Sequence, residues 1–344
     1  MRGWPTASPH DAPAGVTRSR EAAPRRRVEI PVPDLSPWRS GNAGLRGVWT
    51  FAAAAPGPHT ALVALVHGNE IAGAVLLARL LELGLRPLRG RLTLAFANLE
   101  AFDRFDPENP TASRYVDEDL NRLWCRAVLD GERDSVELRR ARDLRPLIDT
   151  VDLLLDLHSM LWESEPLLIA GQPAKARRFA IRVGTPPLVV GDEGHAGGRR
   201  LIDYRPFADP GSPRTAILVE AGQHWEARTV SVMASTTARL LAATGQIDAA
   251  TARQVAPDFE DATRGAVRYA EVTRTVTAQT SEFDFVRPFR GGEVVAERNT
   301  LIALDGETEI RTPHDDCLLV MPSLRTCRGH TAVRLARLAD PPWA

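Results

Sequence analysis

ALVALVHGNEIAGAVLLARLLEL, residues 61–83, decides the fold class. Its first six residues form an apolar run of strand length, then a short polar break leads into apolar positions spaced for a helix. A strand with no polar alternation is buried on both faces, as inner strands of an α/β sheet are. Gly84 offers the left-handed conformation that stops the helix. Working outward, GVWTF (47–51), RLTLAFA (91–97), VDLLLDL (151–157), PLLIA (166–170), PLVV (187–190) and TAILVE (215–220) read as further strands. Helices are expected near 134–147 and over 226–243, and Asn98 to Trp124 is a long polar loop, a length usual for functional segments. After about Gln254 the pattern becomes β-rich, with turns at RGG (290–292) and DGE (305–307). The expected organisation is a basic tail over 1–27 with no structure of its own, an α/β unit over 28–253 and a β-rich domain over 254–344.

Composition narrows the function. In 344 residues, 43 Lys+Arg against 44 Asp+Glu leave a net charge of -1, which provides no electrostatic footprint for nucleic acid or an anionic membrane. No apolar run reaches the roughly 18 residues of a membrane helix. Cys125, Cys317 and Cys327 are odd in number and far apart, fitting neither a disulfide framework nor a thiolate metal site. The expectation is a soluble protein of the cytoplasm, with a homodimer left open.

The polar break itself carries chemistry. His67 and Glu70 sit where the strand ALVALV gives way to the helix, the edge at which open α/β sheets bind ligands. Three residues of turn bring both side chains to one face, and Gly68 lets the chain turn tightly between them. Roughly one chain in two of this composition would show an H-x-x-E by chance, so the position is what gives the pair weight. His158 ends VDLLLDL and can face the same crevice, which would complete a His₂Glu zinc site with an open coordination position. Asp156, two residues earlier on the same strand face, can orient the His158 imidazole. Glu220 ends TAILVE and is a candidate general base. In the long loop, Arg114 and Arg122 can supply guanidinium donors, one toward a polarised carbonyl and one toward a substrate carboxylate, with Asn121 adding amide donors. Asp117, Glu118 and Asp119 are read as holding those arginines and shaping the loop.

Four segments, H-G-N-E (67–70), R-Y-V-D-E-D-L-N-R (114–122), D-L-H (156–158) and V-E-A-G (219–222), occur in an order that resembles the succinylglutamate desuccinylase/aspartoacylase family of the zinc carboxypeptidase-like superfamily. The resemblance covers about residues 60–245. It implies an α/β/α sandwich with a mixed sheet, a C-terminal β domain beside the entrance, and one Zn2+ held by His67, Glu70 and His158. It further implies Glu220 as the catalytic carboxylate, Arg114 as the group polarising the scissile carbonyl, and Asn121 with Arg122 as the pair binding the carboxylate of a small acylated amino acid. Members acting on acidic substrates add an arginine before the glutamate and a C-terminal tyrosine. Here Arg199, Arg200 and Arg205 compete for the first part and Tyr269 is left for the second, while His195 and His224 have no assigned part. The activity expected is hydrolysis of the amide bond of a small N-acyl amino acid. The alternatives are a carboxypeptidase acting on a peptide or peptidoglycan stem, and a non-catalytic zinc-binding scaffold.

Overall fold

The computed structural model describes residues 27–195, 197–260 and 266–340. The basic tail expected over 1–27 therefore lies, save for Arg27, outside the described residues. Seven strands precede Gln254: β1 (Val48–Ala52), β2 (His59–Ala64), β3 (Arg91–Phe96), β4 (Leu153–Met160), β5 (Leu167–Ala170), β6 (Leu188–Gly191) and β7 (Thr215–Gln223). Seven follow: β8 (Arg268–Thr277), β9 (Phe283–Phe285), β10 (Val294–Val295), β11 (Leu301–Asp305), β12 (Thr308–Arg311), β13 (Cys317–Val320) and β14 (Thr331–Ala339).

Eleven of these form one mixed sheet in the order β1-β3-β2-β4-β7-β5-β6-β8-β14-β13-β10, and β12-β11-β9 form a small antiparallel one. The β2–β3, β2–β4 and β4–β7 pairs are parallel, whereas β5 runs antiparallel to β7 and β1 antiparallel to β3. The large sheet does not stop at Gln254. β6 pairs in parallel with β8 from Leu188↔Arg268 to Gly191↔Glu271, so the β-rich segment continues the same sheet, with β14 next beyond β8.

β4 shows why the inner strands are so apolar. Leu155 and Leu157 pack into one core with the helices Ile71–Glu82 and Ala227–Ala243, while Leu154 packs into a second core with the helix Val136–Ile148. Burial on both faces produces the continuous apolar run and the three α/β/α layers. Truncating such a residue, as in Leu157→Ala, would cost about 2–5 kcal/mol. By the period of two, Asp156 and His158 share the face of Leu154. A third, smaller core gathers Phe283, Phe285, Phe289 and Ile302 under β13 and β14.

Besides three single-turn helices, two longer ones escape the pattern reading, Ala174–Val183 and Ala249–Val255. Seven of the ten residues of the first are arginine, lysine or alanine, so its fully buried positions are only Ala176, Ala180 and Val183. Strand ends also shift. β2 stops at Ala64, and Leu65 adopts φ +57°, which swings the chain out of the sheet before His67.

Candidate active site

His67 and Glu70 are joined by a tight turn in which Glu70 N donates to His67 O at 3.2 Å, and Glu70 immediately precedes the helix Ile71–Glu82 without a side-chain capping bond. Gly68 serves differently from the sequence expectation. Its φ is ordinary, but a β-carbon there would lie 2.4 Å from Ala101 C and 2.5 Å from Ser113 O. Glycine is required by close approach, which also lets Gly68 N donate to Arg114 O at 3.0 Å and dock the long loop against the turn.

The two imidazoles converge on one carboxylate. His67 Nδ1 lies 2.7 Å from Glu70 Oε1 and His158 Nδ1 lies 3.1 Å from Glu70 Oε2. Ser159 N donates to Glu70 Oε2 at 2.9 Å. Ligand atoms of the three buried side chains lie within 4.8 Å of one another, and two imidazole nitrogens with one carboxylate form a donor set suited to zinc. Burial pushes the Glu70 carboxyl up, but the two imidazoles outweigh it and hold the group well below its ordinary range.

The far nitrogens of both rings meet acids. His158 Nε2 approaches Asp156 Oδ2 at 3.0 Å as an ion-pair contact without hydrogen-bond alignment, and His67 Nε2 lies 2.9 Å from Asp119 Oδ1. Asp119 also accepts from Arg114 Nη2 at 3.3 Å and lies 3.8 Å from Arg122 Nη2. It therefore holds the arginines and, beyond that expectation, faces a candidate metal ligand. Asp117 and Glu118 instead secure the start of the helix Val136–Ile148, through Val136 N and Ser135 Oγ.

Glu220 is the direct register partner of His158 across β4 and β7. Its Oε2 is sealed from solvent without a hydrogen-bond partner among the described residues. Burial, then the nearby Glu70 carboxylate, push its carboxyl up to about 8. Asn121 Oδ1 accepts from Leu201 N at 2.8 Å, which leaves the amide nitrogen as the group turned toward His158. Arg122 Nη1 donates to Asn121 O at 2.7 Å.

These side chains line one cavity of about 230 Å³ with Arg114, His195, Arg200, His224 and Arg334. The catalytic-domain model of succinylglutamate desuccinylase and aspartoacylase matches residues 56–244, more than half of the chain. The chain belongs to the succinylglutamate desuccinylase/aspartoacylase family. Solved members share its fold. The succinylglutamate desuccinylase of Vibrio cholerae gives a TM-score of 0.64 at 17% identity, covering 86% of each chain. The succinylglutamate desuccinylase/aspartoacylase of Rhodobacter sphaeroides gives 0.61 at 18%, covering 85% of this chain and 89% of that one. The product-bound ectoine utilization protein of Ruegeria pomeroyi gives 0.57 at 17%, covering 84% and 87%. No curated protein matches the chain.

Against the family resemblance, the arginines before Glu220 separate cleanly. Arg199 and Arg205 line a neighbouring depression and only Arg200 reaches the cavity. Arg200 is buried, with Nε on Asp203 and Nη1 on Asp192, each at 2.6 Å. Tyr269 is bonded to Glu271 and does not line the cavity. The C-terminal residues that do are Arg334 of β14 and the turn Met321-Pro322-Ser323, none of which the sequence reading singled out. Arg334 Nε donates to Asp192 at 3.1 Å and its Nη2 to His195 Nε2 at 2.7 Å. Burial and the three surrounding arginines drive the His195 imidazole far below its ordinary range. His224 Nδ1 pairs with Ser159 Oγ at 2.8 Å, and burial pushes its imidazole down to about 3.

Proposed function

We propose that this chain is a zinc-dependent deacylase that hydrolyses the amide bond of a small N-acyl amino acid. The observation that carries the reading is Glu220, a carboxyl with an unpartnered, sealed oxygen beside the His67–Glu70–His158 cluster. A buried carboxylate oxygen that serves structure is normally hydrogen-bonded, so one left without a partner among charged cavity residues marks a candidate proton-handling group.

Zinc bound by His67, Glu70 and His158 would bring the pKa of a coordinated water toward 7 and polarise the scissile carbonyl. Glu220, beside the His67–Glu70–His158 cluster, takes the proton from the attacking water and returns it to the leaving nitrogen. Arg114, half-buried and anchored on Asp119, donates to the carbonyl oxygen as negative charge develops there. The Asn121 amide nitrogen and the Arg122 guanidinium bind the carboxylate of the amino acid. Asp119 and Asp156 fix the orientation of the two imidazoles.

The cavity volume of about 230 Å³ lies below the roughly 300–1,000 Å³ of drug-sized pockets. That favours a small amide over a peptide or peptidoglycan stem, and the ready carboxyl disfavours a non-catalytic scaffold. Zinc analysis of the purified chain with a screen of N-acyl amino acids tests the reading. About one zinc per chain and amide hydrolysis abolished by Glu220→Gln are expected. A zinc-loaded chain inert toward every N-acyl amino acid ends it.

A further inference from the structure

Part of the cavity lining carries no charge. Met160, Leu161 and Trp162 contribute from the end of β4, and Met321 with Pro322 contribute from the turn after β13. Met321 holds φ +49°, a left-handed conformation that a β-carbon disfavours and a following proline restricts further. Both sides of the turn hold it there. Val320 is registered against Arg334, and Ser323 N donates to Ala332 O at 2.7 Å. Strain maintained in this way concentrates at ligand sites, and here the strained residue is one that lines the cavity.

The facing segment is fixed with equal care. Glu165 N donates to Gly291 O at 2.9 Å and Gly291 N donates to Glu163 O at 3.0 Å. A β-carbon on Gly291 would lie 2.0 Å from Ser164 Oγ, so only glycine permits the approach. Two chain segments far apart in sequence thus bring Trp162 and Met321 to one cavity. The deeper guanidinium groups are already engaged, Arg200 by Asp192 and Asp203 and Arg334 by Asp192 and His195. The two carboxylates Asp192 and Asp203 offset these two charges, whereas Arg114 and Arg122 share Asp119, with Glu70 3.4 Å from Arg114.

We propose that Met321 and Trp162 wall the acyl subsite and that this deacylase selects a short, uncharged acyl group, with Met321 as a specificity-determining residue. The proposal rests on the deacylase reading above.

The test uses the full zinc-loaded chain and one amino acid carrying acetyl, butyryl or succinyl. Expected is a kcat/KM at least ~10-fold higher for butyryl than for succinyl, the scale of apolar subsite selection. Met321→Gly removes the backbone strain and with it some side-chain packing against the core, opposing effects that should keep its Tm close to wild type, while the butyryl preference falls by about 10-fold; Met321→Leu should keep it. A preference for succinyl, above all one that Arg334→Met abolishes, overturns the proposal by assigning the subsite to Arg334. So does an unchanged ratio in Met321→Gly. Should none of the compounds be hydrolysed, the deacylase reading fails on its own, and thermal-shift titration with the same compounds still decides the subsite. Stronger protection by butyryl than by succinyl, lost in Met321→Gly, supports it, and equal protection overturns it.

Discussion

His158 and Glu220 stand side by side on adjacent parallel strands, as direct partners in the β4–β7 register. Neighbouring strands are about 4.8 Å apart and the pleat sends both side chains to the same face. The spacing between the candidate base and a candidate ligand is therefore set by the hydrogen bonds of the sheet centre, and no loop movement can change it. The other candidate ligands come from a turn docked at the end of β2, the strand on the opposite side of β4.

Glu220→Gln keeps the shape of the side chain and removes its capacity to carry a proton. The variant should retain about one zinc per chain and lose turnover by at least ~10²-fold. Metal analysis beside steady-state kinetics checks both halves. A fully active variant would show that another group handles the proton.

His158→Ala should abolish zinc binding while the chain stays folded, because the three-layer core does not pass through the site. Asp119→Asn is the subtler change. Asp119 faces His67 Nε2 at 2.9 Å, so its loss should weaken zinc affinity by about 10–100-fold in a chelator competition. Wild-type affinity in that variant would reduce Asp119 to an anchor for the arginines.

Sequence made part of this legible for a physical reason. An inner strand is apolar on both faces, so ALVALV, VDLLLDL and TAILVE stand out, and polar residues at their ends are conspicuous. That is how His67, Glu70, His158 and Glu220 could be read. Arg334 lay hidden because its strand, TAVRLARLA, mixes buried and exposed positions, and nothing local shows that the sheet continues past β6 to bring it to the cavity. Met321 gave no signal, since a left-handed φ at a non-glycine residue is imposed by the surroundings. Glu137 was invisible too. An acid in the first turn of a helix reads as a favourable charge on the helix dipole, and its real partners lie in a distant loop.

Glu137 leads to a stability prediction. It is fully buried and accepts from Val116 N at 2.6 Å, Asp117 N at 3.0 Å, Glu118 N at 3.2 Å and Asn98 Nδ2 at 2.9 Å. Each hydrogen bond to a charged group contributes about 1.5–3 kcal/mol, although the loop amides can regain water. Glu137→Ala should therefore cost about 2–4 kcal/mol in chemical denaturation and raise KM, because the segment it clamps carries Arg114, Asn121 and Arg122. An unchanged midpoint and KM would mean that the loop is held from elsewhere.

Arg122 and Arg114 should separate in kinetics. A carboxylate bound by Arg122 and Asn121 is present in both ground and transition states, so Arg122→Ala should mainly raise KM, whereas Arg114→Ala should lower kcat if it meets the developing oxyanion. Burial, reinforced by Arg114, lowers the Arg122 pKa to about 10. The guanidinium stays charged throughout, so it can pair with a substrate carboxylate at neutral pH. Replacing the substrate carboxylate by a primary amide supplies the control. The amide should be a poor substrate for wild type and no worse for Arg122→Ala, since one ion pair cannot be lost twice. Additive losses from the two changes would mean that Arg122 and the carboxylate do not meet, and the carboxylate would then have to be sought at Arg334.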